Sequence, residues 1–440
     1  MKKILMTSTA LVAAGMLSAG AASAAEKIKI NVGGFSKWWV VGAWQDKGFQ
    51  NGTTGTIGAS ANGASAAGSQ RQNVDVKGFN QLEFSGSTAL DNGLKVGVMF
   101  TVMAGGHSDS VTDVIDNSFA WVEGGFGKVL AGIHNNGTAL LHVQAPDAAN
   151  NFGSGGVMLG NWAITKPAGV MGMNQRVGYT VSANSTQALA DDKAEKLTYV
   201  APSFYGLTLG ASYIPNVVRT GAGVGATSLG AHSRANGTDR LGAWGGGALY
   251  ANTFGPVGVK ASAGYVWVDL TATGGAEKAL TQQTYGAQLS YAGFTLGGSV
   301  QRASDDRKQG GVTSAVLSGT SQAGTYGGKG GSGGDLDFGG IAYDVGLQYA
   351  SGPYAVSLAY FKSSVVGLSN TTLRNGKDDT IEAYQVSGKY NLGPGVDVLA
   401  SVGWIEYKDQ RDGLAGLTAN QNSMYSNSGW TAMTGLSLTF

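Results

Sequence analysis

The stretch Gly429-Trp430-Thr431-Ala432-Met433-Thr434-Gly435-Leu436-Ser437-Leu438-Thr439-Phe440 decides how this chain is read. From Trp430 onward, Ala432, Leu436, Leu438 and Phe440 share one parity, and Thr431, Gly435, Ser437 and Thr439 share the other. Met433 and Thr434 are the exceptions, one on each face. A strand sends alternate side chains to opposite faces, so one face is apolar and the other small and polar. Aromatic residues close both ends of the apolar stripe. In a soluble sheet that stripe packs on a core; in a membrane barrel it meets lipid, with the aromatics at the two interfaces. One strand does not separate these readings, but its pattern returns along the whole chain.

Composition narrows the choice. The 440 residues include 73 Gly, 7 Pro and no Cys, and only 13% are charged. That charged share is about half the usual one, and a mean hydropathy of −0.02 is what alternating strands average to. Met1 to Ala24 reads as a cleaved secretory signal: Lys2 and Lys3, an apolar run from Ile4 to Met16, then Ala22-Ser23-Ala24. The run is too short for a membrane helix, and no later stretch supplies one. The mature chain is expected to be residues 25–440, a single domain. Losing Lys2 and Lys3 turns the formal charge of +1 into −1, which gives no basis for a nucleic-acid partner. An exported chain without Cys has no disulfides to hold it.

Taken in order, Ile28 to Trp44 alternates, and Gln45 to Asn73 reads as a Gly/Ser/Thr/Ala loop. Val74, Val76, Leu82 and Phe84 then oppose Asp75, Lys77, Gln81 and Glu83. Asp91-Asn92-Gly93 is a tight turn, after which Leu94, Val96, Val98, Phe100 and Val102 alternate with Lys95, Gly97 and Thr101. Further short turns fall at 124–128, 201–206, 252–257, 291–293, 349–354 and 391–395. About seven short turns and eight longer polar loops connect about sixteen antiparallel strands, an even number with one trim end and one elaborate end. Ile341, Tyr343, Val345, Leu347 and Tyr349 against Asp344, Gly346 and Gln348 give the clearest later strand. Lipid leaves backbone groups without partners, so a strand-built span must close on itself. The small residues of the other parity suggest an interior open to water. The expected fold is all-β: a closed antiparallel transmembrane barrel.

On these features the chain resembles the general Gram-negative porins, the sixteen-stranded trimeric outer-membrane class. The resemblance rests on the signal, on the terminal Phe440 of an amphipathic strand, and on two segments. Lys196-Leu197-Thr198-Tyr199-Val200-Ala201-Pro202-Ser203-Phe204-Tyr205-Gly206-Leu207 is similar to the family's strand, Pro-aromatic-Gly turn, strand signature. Gly127-Lys128-Val129-Leu130-Ala131-Gly132 is similar to the strand before its constriction loop. The resemblance implies a homotrimer among outer-membrane lipids that passes small hydrophilic solutes. It implies that Phe440 is read by the barrel-insertion machinery, and that the third loop, about Asn135 to Gln175, folds into the pore to form an eyelet. In the family, acids on this loop face a basic cluster. Here the loop holds Asp147, His142 and Lys166, with His134 just before it and Arg176 just after, and the acidic stretch is missing. Weak charge selectivity is therefore expected.

Candidate pore-lining charges are Lys37, Asp75, Lys77, Glu83, Lys95, His134 and Asp344, with Lys29 and Lys389 beside them. Arg71 and Arg176 border strands within reach of the eyelet. A charge on the lipid face at mid-depth costs ~2–4 kcal/mol, which favours the inward side. Some of these residues, Lys29 first, are also compatible with strand ends in headgroup water. His107, His134, His142 and His232 have no metal-ligand spacing, so no metal is implied. Gly330-Gly331-Ser332-Gly333-Gly334 matches a nucleophile elbow only formally, lacking the flanking strand and helix. Gly330 to Phe338 is a single, imperfect copy of a calcium-binding repeat that works in tandem. Gly221-Ala222-Gly223 lacks the frame of a dinucleotide site. No cofactor and no enzymatic constellation emerge. The expected function is passive diffusion through a water-filled channel. The alternatives are a substrate-selective channel of the same fold, which an arginine track or aromatic slide in the lumen would favour, and a secreted β-rich binding protein or adhesin.

Overall fold

The computed structural model describes residues 27–51, 72–105, 115–149, 163–167, 170, 185–189, 194–215, 217, 242–269, 279–305, 339–366, 377–410, 412–413 and 425–440. The signal segment, Arg71, Arg176, His107, His232 and the Gly-rich stretch 330–338 lie outside these residues.

Sixteen strands follow one another: β1 (Asn31–Gln45), β2 (Val74–Ala89), β3 (Lys95–Met103), β4 (Ile115–Gly124), β5 (Gly127–Ile133), β6 (Glu195–Val200), β7 (Leu207–Ile214) and β8 (Ala243–Phe254). Then come β9 (Val257–Asp269), β10 (Ala279–Tyr291), β11 (Phe294–Asp305), β12 (Gly340–Ser351), β13 (Tyr354–Val366), β14 (Asp378–Gly393), β15 (Val396–Lys408) and β16 (Ser426–Thr439). Each pairs antiparallel with its sequence neighbours, and β1 pairs with β16, so the sheet is a closed barrel. Short turns alternate with long connections around the ring. One short helix, α1 (Lys47–Asn51), stands in the first of the long connections, where composition alone suggested only loop.

The seam shows why the two ends of the chain belong together. Trp44 faces Trp430 and Trp38 faces Leu436 in register. Beyond the last ladder pair, Gly34 and Phe440 exchange backbone hydrogen bonds of 3.0 and 3.1 Å. Gly34 has a φ of +147° and passes so close to β2 that a Cβ there would lie 2.2 Å from the carbonyl oxygen of Gln81. Only glycine fits that crossing.

Register carries the parity of the closing strand around the whole ring. Leu436, Val402, Val386, Leu358, Leu347 and Leu296 all point outward and are exposed. Near the turns the outward residues become Tyr291, Phe294, Tyr349, Tyr354, Tyr390 and Phe440. Near the long connections they become Trp44, Trp430, Trp404, Tyr384, Tyr360, Tyr213 and Trp244, several in ring contact. An apolar band between two aromatic belts is the surface a bilayer requires. The outer face of β2–β5 differs. It bears Phe84, Val96, Val98, Phe100, Ala120, Val122, Val129 and Ala131, with no Tyr or Trp among the described residues.

The interior is not uniformly polar, contrary to the expectation from inner-face composition. Towards the long connections, Val266, Leu280, Phe361, Ile381, Ile405 and Tyr407 point inward and are almost fully buried. They pack against Ile164, Val170 and Ala188 of the connection between β5 and β6. The inner wall there is the core for a segment laid against it.

Candidate functional site

That segment is the third long connection. It leaves β5 at Ile133 and reaches β6 at Glu195, well beyond the 135–175 expected from sequence. A one-turn helix, α2 (Gly137–Leu140), opens it, with the Asn136 side chain accepting from the Ala139 N–H at 2.9 Å. The chain then runs along the inner wall, meeting successive strands through their small polar residues. The Gly137 N–H donates to Ser212 on β7 (2.8 Å) and Thr138 Oγ1 donates to the Gly246 carbonyl on β8 (3.2 Å). The Val143 N–H donates to Ser262 on β9 (2.9 Å), and Gln288 of β10 donates to the Gln144 carbonyl (2.6 Å). The Ala145 N–H donates to Asp344 on β12 (2.9 Å) and the Ala148 N–H to Ser357 on β13 (2.8 Å). An irregular segment buried inside a barrel needs a partner for each backbone group, and the wall supplies them.

Glycines clear the path. A Cβ on Gly286 would fall 1.8 Å from the Val143 carbonyl oxygen, and one on Gly264 would fall 2.0 Å from the Thr138 methyl. Further along, the Thr165 N–H donates to Gln45 on β1 (3.1 Å), and Asn427 of β16 donates to the Thr165 carbonyl (2.7 Å). Ala149 and Ala163 pack with Trp39, Val41, Leu399 and Met433. The described parts of the loop therefore hold the walls of β7 to β14 and reach round to the seam. The wall of β2–β5 faces them.

The sequence-predicted residues separate into two groups. Asp344 is buried under the loop, accepting from Ala145, from Ser299 (2.9 Å to each oxygen) and from Thr186 (3.0 Å). His142 stands between the hydroxyls of Thr186 (3.1 Å) and Thr284 (2.8 Å), and burial pushes its pKa down to about 4. His134 is buried with its ring 5.3 Å from that of Phe119, and its carbonyl accepts from Lys196. Lys166 donates to the Val170 carbonyl (2.5 Å); burial lowers its pKa to about 8, against the pull of Asp379 and Asp409. These four sit at contacts between loop and wall.

The second group has the lumen parity and is at most partly buried: Lys37, Asp75, Lys77, Glu83 and Lys95, with Asp147 on the loop. Lys77 pairs with Asp75 at 2.7 Å. Asp147 lies 3.4 Å from both Ser357 and Gln385, and its charge acts on Lys37 together with those of Asp397 and Lys389. Lys389 also has the lumen parity. Lys29 precedes β1 and is exposed.

Sequence reading missed the aromatics of this inner wall: Phe35, Phe79, Phe119 and Trp121. Their signal was available, since Phe79 shares parity with Asp75 and Lys77. It also missed Lys128, whose ammonium stands 4.1 Å from the Trp121 ring centroid and 3.9 Å from Glu123.

The comparisons agree with this geometry. A family model described as Gram-negative porin matches residues 7–410. Among solved structures, an anion-selective porin from Comamonas acidovorans superposes with a TM-score of 0.55 at 17% identity, covering 94% of this chain and all of that one. The outer-membrane channel DcaP of Acinetobacter baumannii gives 0.54 at 14%, covering 95% of this chain and 100% of the other. A loop-deleted OmpT, an outer membrane protein of Vibrio cholerae, gives 0.53 at 11%, covering 94% and 100%. No curated protein matches at significant similarity.

Proposed function

Given that the chain belongs to the Gram-negative porin family and so forms a passive channel of the outer membrane, we propose the finer reading that follows. Small hydrophilic solutes and ions diffuse through the barrel, screened by size at an eyelet between the third loop and the β1–β5 wall, with weak charge selectivity. The observation that carries this is the loop's passage inside the ring, hydrogen-bonded to the wall from β7 to β13. The eyelet charges are Lys37, Asp75, Lys77, Glu83 and Asp147, with Lys95 lining the pore nearer its short-turn end, while His134, His142, Lys166 and Asp344 hold the loop. Arg71 and Arg176 remain candidates for the same opening.

The working unit is a homotrimer, with β2–β5 turned towards the neighbouring copy. The absence of Tyr and Trp among the described residues of that outer face, where the other sides carry them, supports this. Residues 1–24 form an export signal removed before assembly, and Phe440 serves insertion. Reconstitution in planar bilayers tests the channel. Stepwise conductance with only a small reversal potential in a salt gradient is expected, and absence of conductance refutes it. A heat-modifiable oligomer of three chains tests the assembly; a monomeric barrel refutes it.

A further inference from the structure

This inference rests on the channel reading and adds the class of solute. Phe35 and Phe79 point into the lumen with their ring centroids 5.0 Å apart and their planes at 63°. Lys37 is the register partner of Phe79, and its ammonium lies 5.3 Å from the Phe35 centroid. The same pairing of ring and ammonium recurs at Trp121 and Lys128. Phe79 also packs against the cluster of Trp39, Val41, Ala149, Leu399 and Met433, which fixes the ring pair where the loop meets the β1 wall and leaves both rings only partly buried.

The charges have a sign. Among the described residues, no carboxylate stands within 4.0 Å of the ammonium of Lys37, Lys95, Lys260 or Lys389, all on the lumen parity. Lys95, Lys260 and Lys389 stand on three separate parts of the ring towards its short-turn end. The acids of the lumen are more committed. Glu123 meets Lys128, Asp75 meets Lys77, and Asp397 accepts from Asn391 at 2.8 Å. Lysines around a mouth raise the local concentration of anions.

We propose that the pore favours anions and transiently binds small carboxylates with a flat apolar body, the ring against Phe35 and Phe79 and the carboxylate on Lys37. Asp147 and Asp397 also face Lys37, so a carboxylate alone competes poorly there. Stacking on the phenyl pair supplies the added affinity, so benzoate binds and acetate does not.

The test is single-channel recording of the purified full-length protein in planar bilayers, with benzoate or acetate added to one side. In a potassium chloride gradient, chloride is expected to exceed potassium in permeability about threefold. Benzoate is expected to interrupt the current and acetate to leave it steady. Phe35→Leu with Phe79→Leu is expected to shorten the benzoate events about fivefold. Lys37→Gln is expected to make them rarer. Cation preference, or equal behaviour of benzoate and acetate in an open channel, overturns the proposal and leaves the channel reading standing. Absence of any channel overturns both. The benzoate–acetate comparison uses the unaltered chain, so it does not depend on any variant folding.

Discussion

Gly286→Ala isolates the docking of the loop from everything else in the barrel. The added Cβ would lie 1.8 Å from the Val143 carbonyl oxygen and 2.7 Å from its carbon. A methyl group has no rotamer that avoids this, so the loop must lift. Lifting breaks the Val143-to-Ser262 hydrogen bond of 2.9 Å and the Gln288-to-Gln144 bond of 2.6 Å. A neutral hydrogen bond contributes ~0.5–1.5 kcal/mol net, so the two together give about 2 kcal/mol of lost docking. At ~1.4 kcal/mol per factor of ten, that is about a 30-fold change in local opening. Hydrogen exchange of the Val143 and Ala145 amides reads it directly. Gly258→Ala is the control: it has the lumen parity on the paired strand β9, but its Cβ would meet only Ser290 at an ordinary 3.5 Å. The prediction is faster exchange in Gly286→Ala and wild-type exchange in Gly258→Ala. Equal exchange in both variants would refute the placement of the loop on β10.

Other consequences follow from the same contacts. His142 is held neutral with a pKa of about 4, against 6.5 in an open chain, so its contribution to docking is intact above about pH 6.5. That contribution falls as pH drops towards 4, by up to about 3 kcal/mol, and His142→Gln is expected to flatten this part of an exchange-versus-pH profile. Asp344→Ala strands the Ala145 N–H and the Ser299 and Thr186 hydroxyls. It is expected to loosen the loop by ~2–4 kcal/mol, with Asp344→Asn milder because its amide oxygen still accepts, as noise in single-channel current will report. Leu347 faces outward and Gln348 inward on β12, so Leu347→Lys is expected to cost ~2–4 kcal/mol of barrel stability in urea titrations, and Gln348→Lys little.

The barrel was legible because lipid imposes a rule of period two on every strand. The parity of Leu436 and Leu438, or of Val345 and Leu347, is enough to orient a strand, and the Asn92-Gly93 type of turn marks where it reverses. The loop's bed was not legible. Gly264, Gly286, Ser212, Ser262 and Ser357 have the small, polar look of residues beside water, and in the structure they underlie another segment. Composition does not tell a residue that leaves room for solvent from one that leaves room for chain. The same ambiguity hides Asp344, His142 and Lys166, whose charge suggested a pore and whose burial places them under or beside the loop. Phe35, Phe79 and Trp121 were passed over for a different reason: aromatics near strand ends suggest interfacial belts, and only parity against the outward residues turns them inward.

The chain has no Cys, so a pair introduced at Ala148 and Ser357 is chemically unique. The Ala148 amide and the Ser357 hydroxyl are 2.8 Å apart across the loop–wall contact on β13. Treating Ala148→Cys with Ser357→Cys in membranes with a short bis-thiosulfonate linker asks whether the third loop lies inside the barrel. Near-complete intramolecular linkage with channel conductance retained is the predicted result. Two thiols that stay unlinked, each reacting only singly, would contradict it.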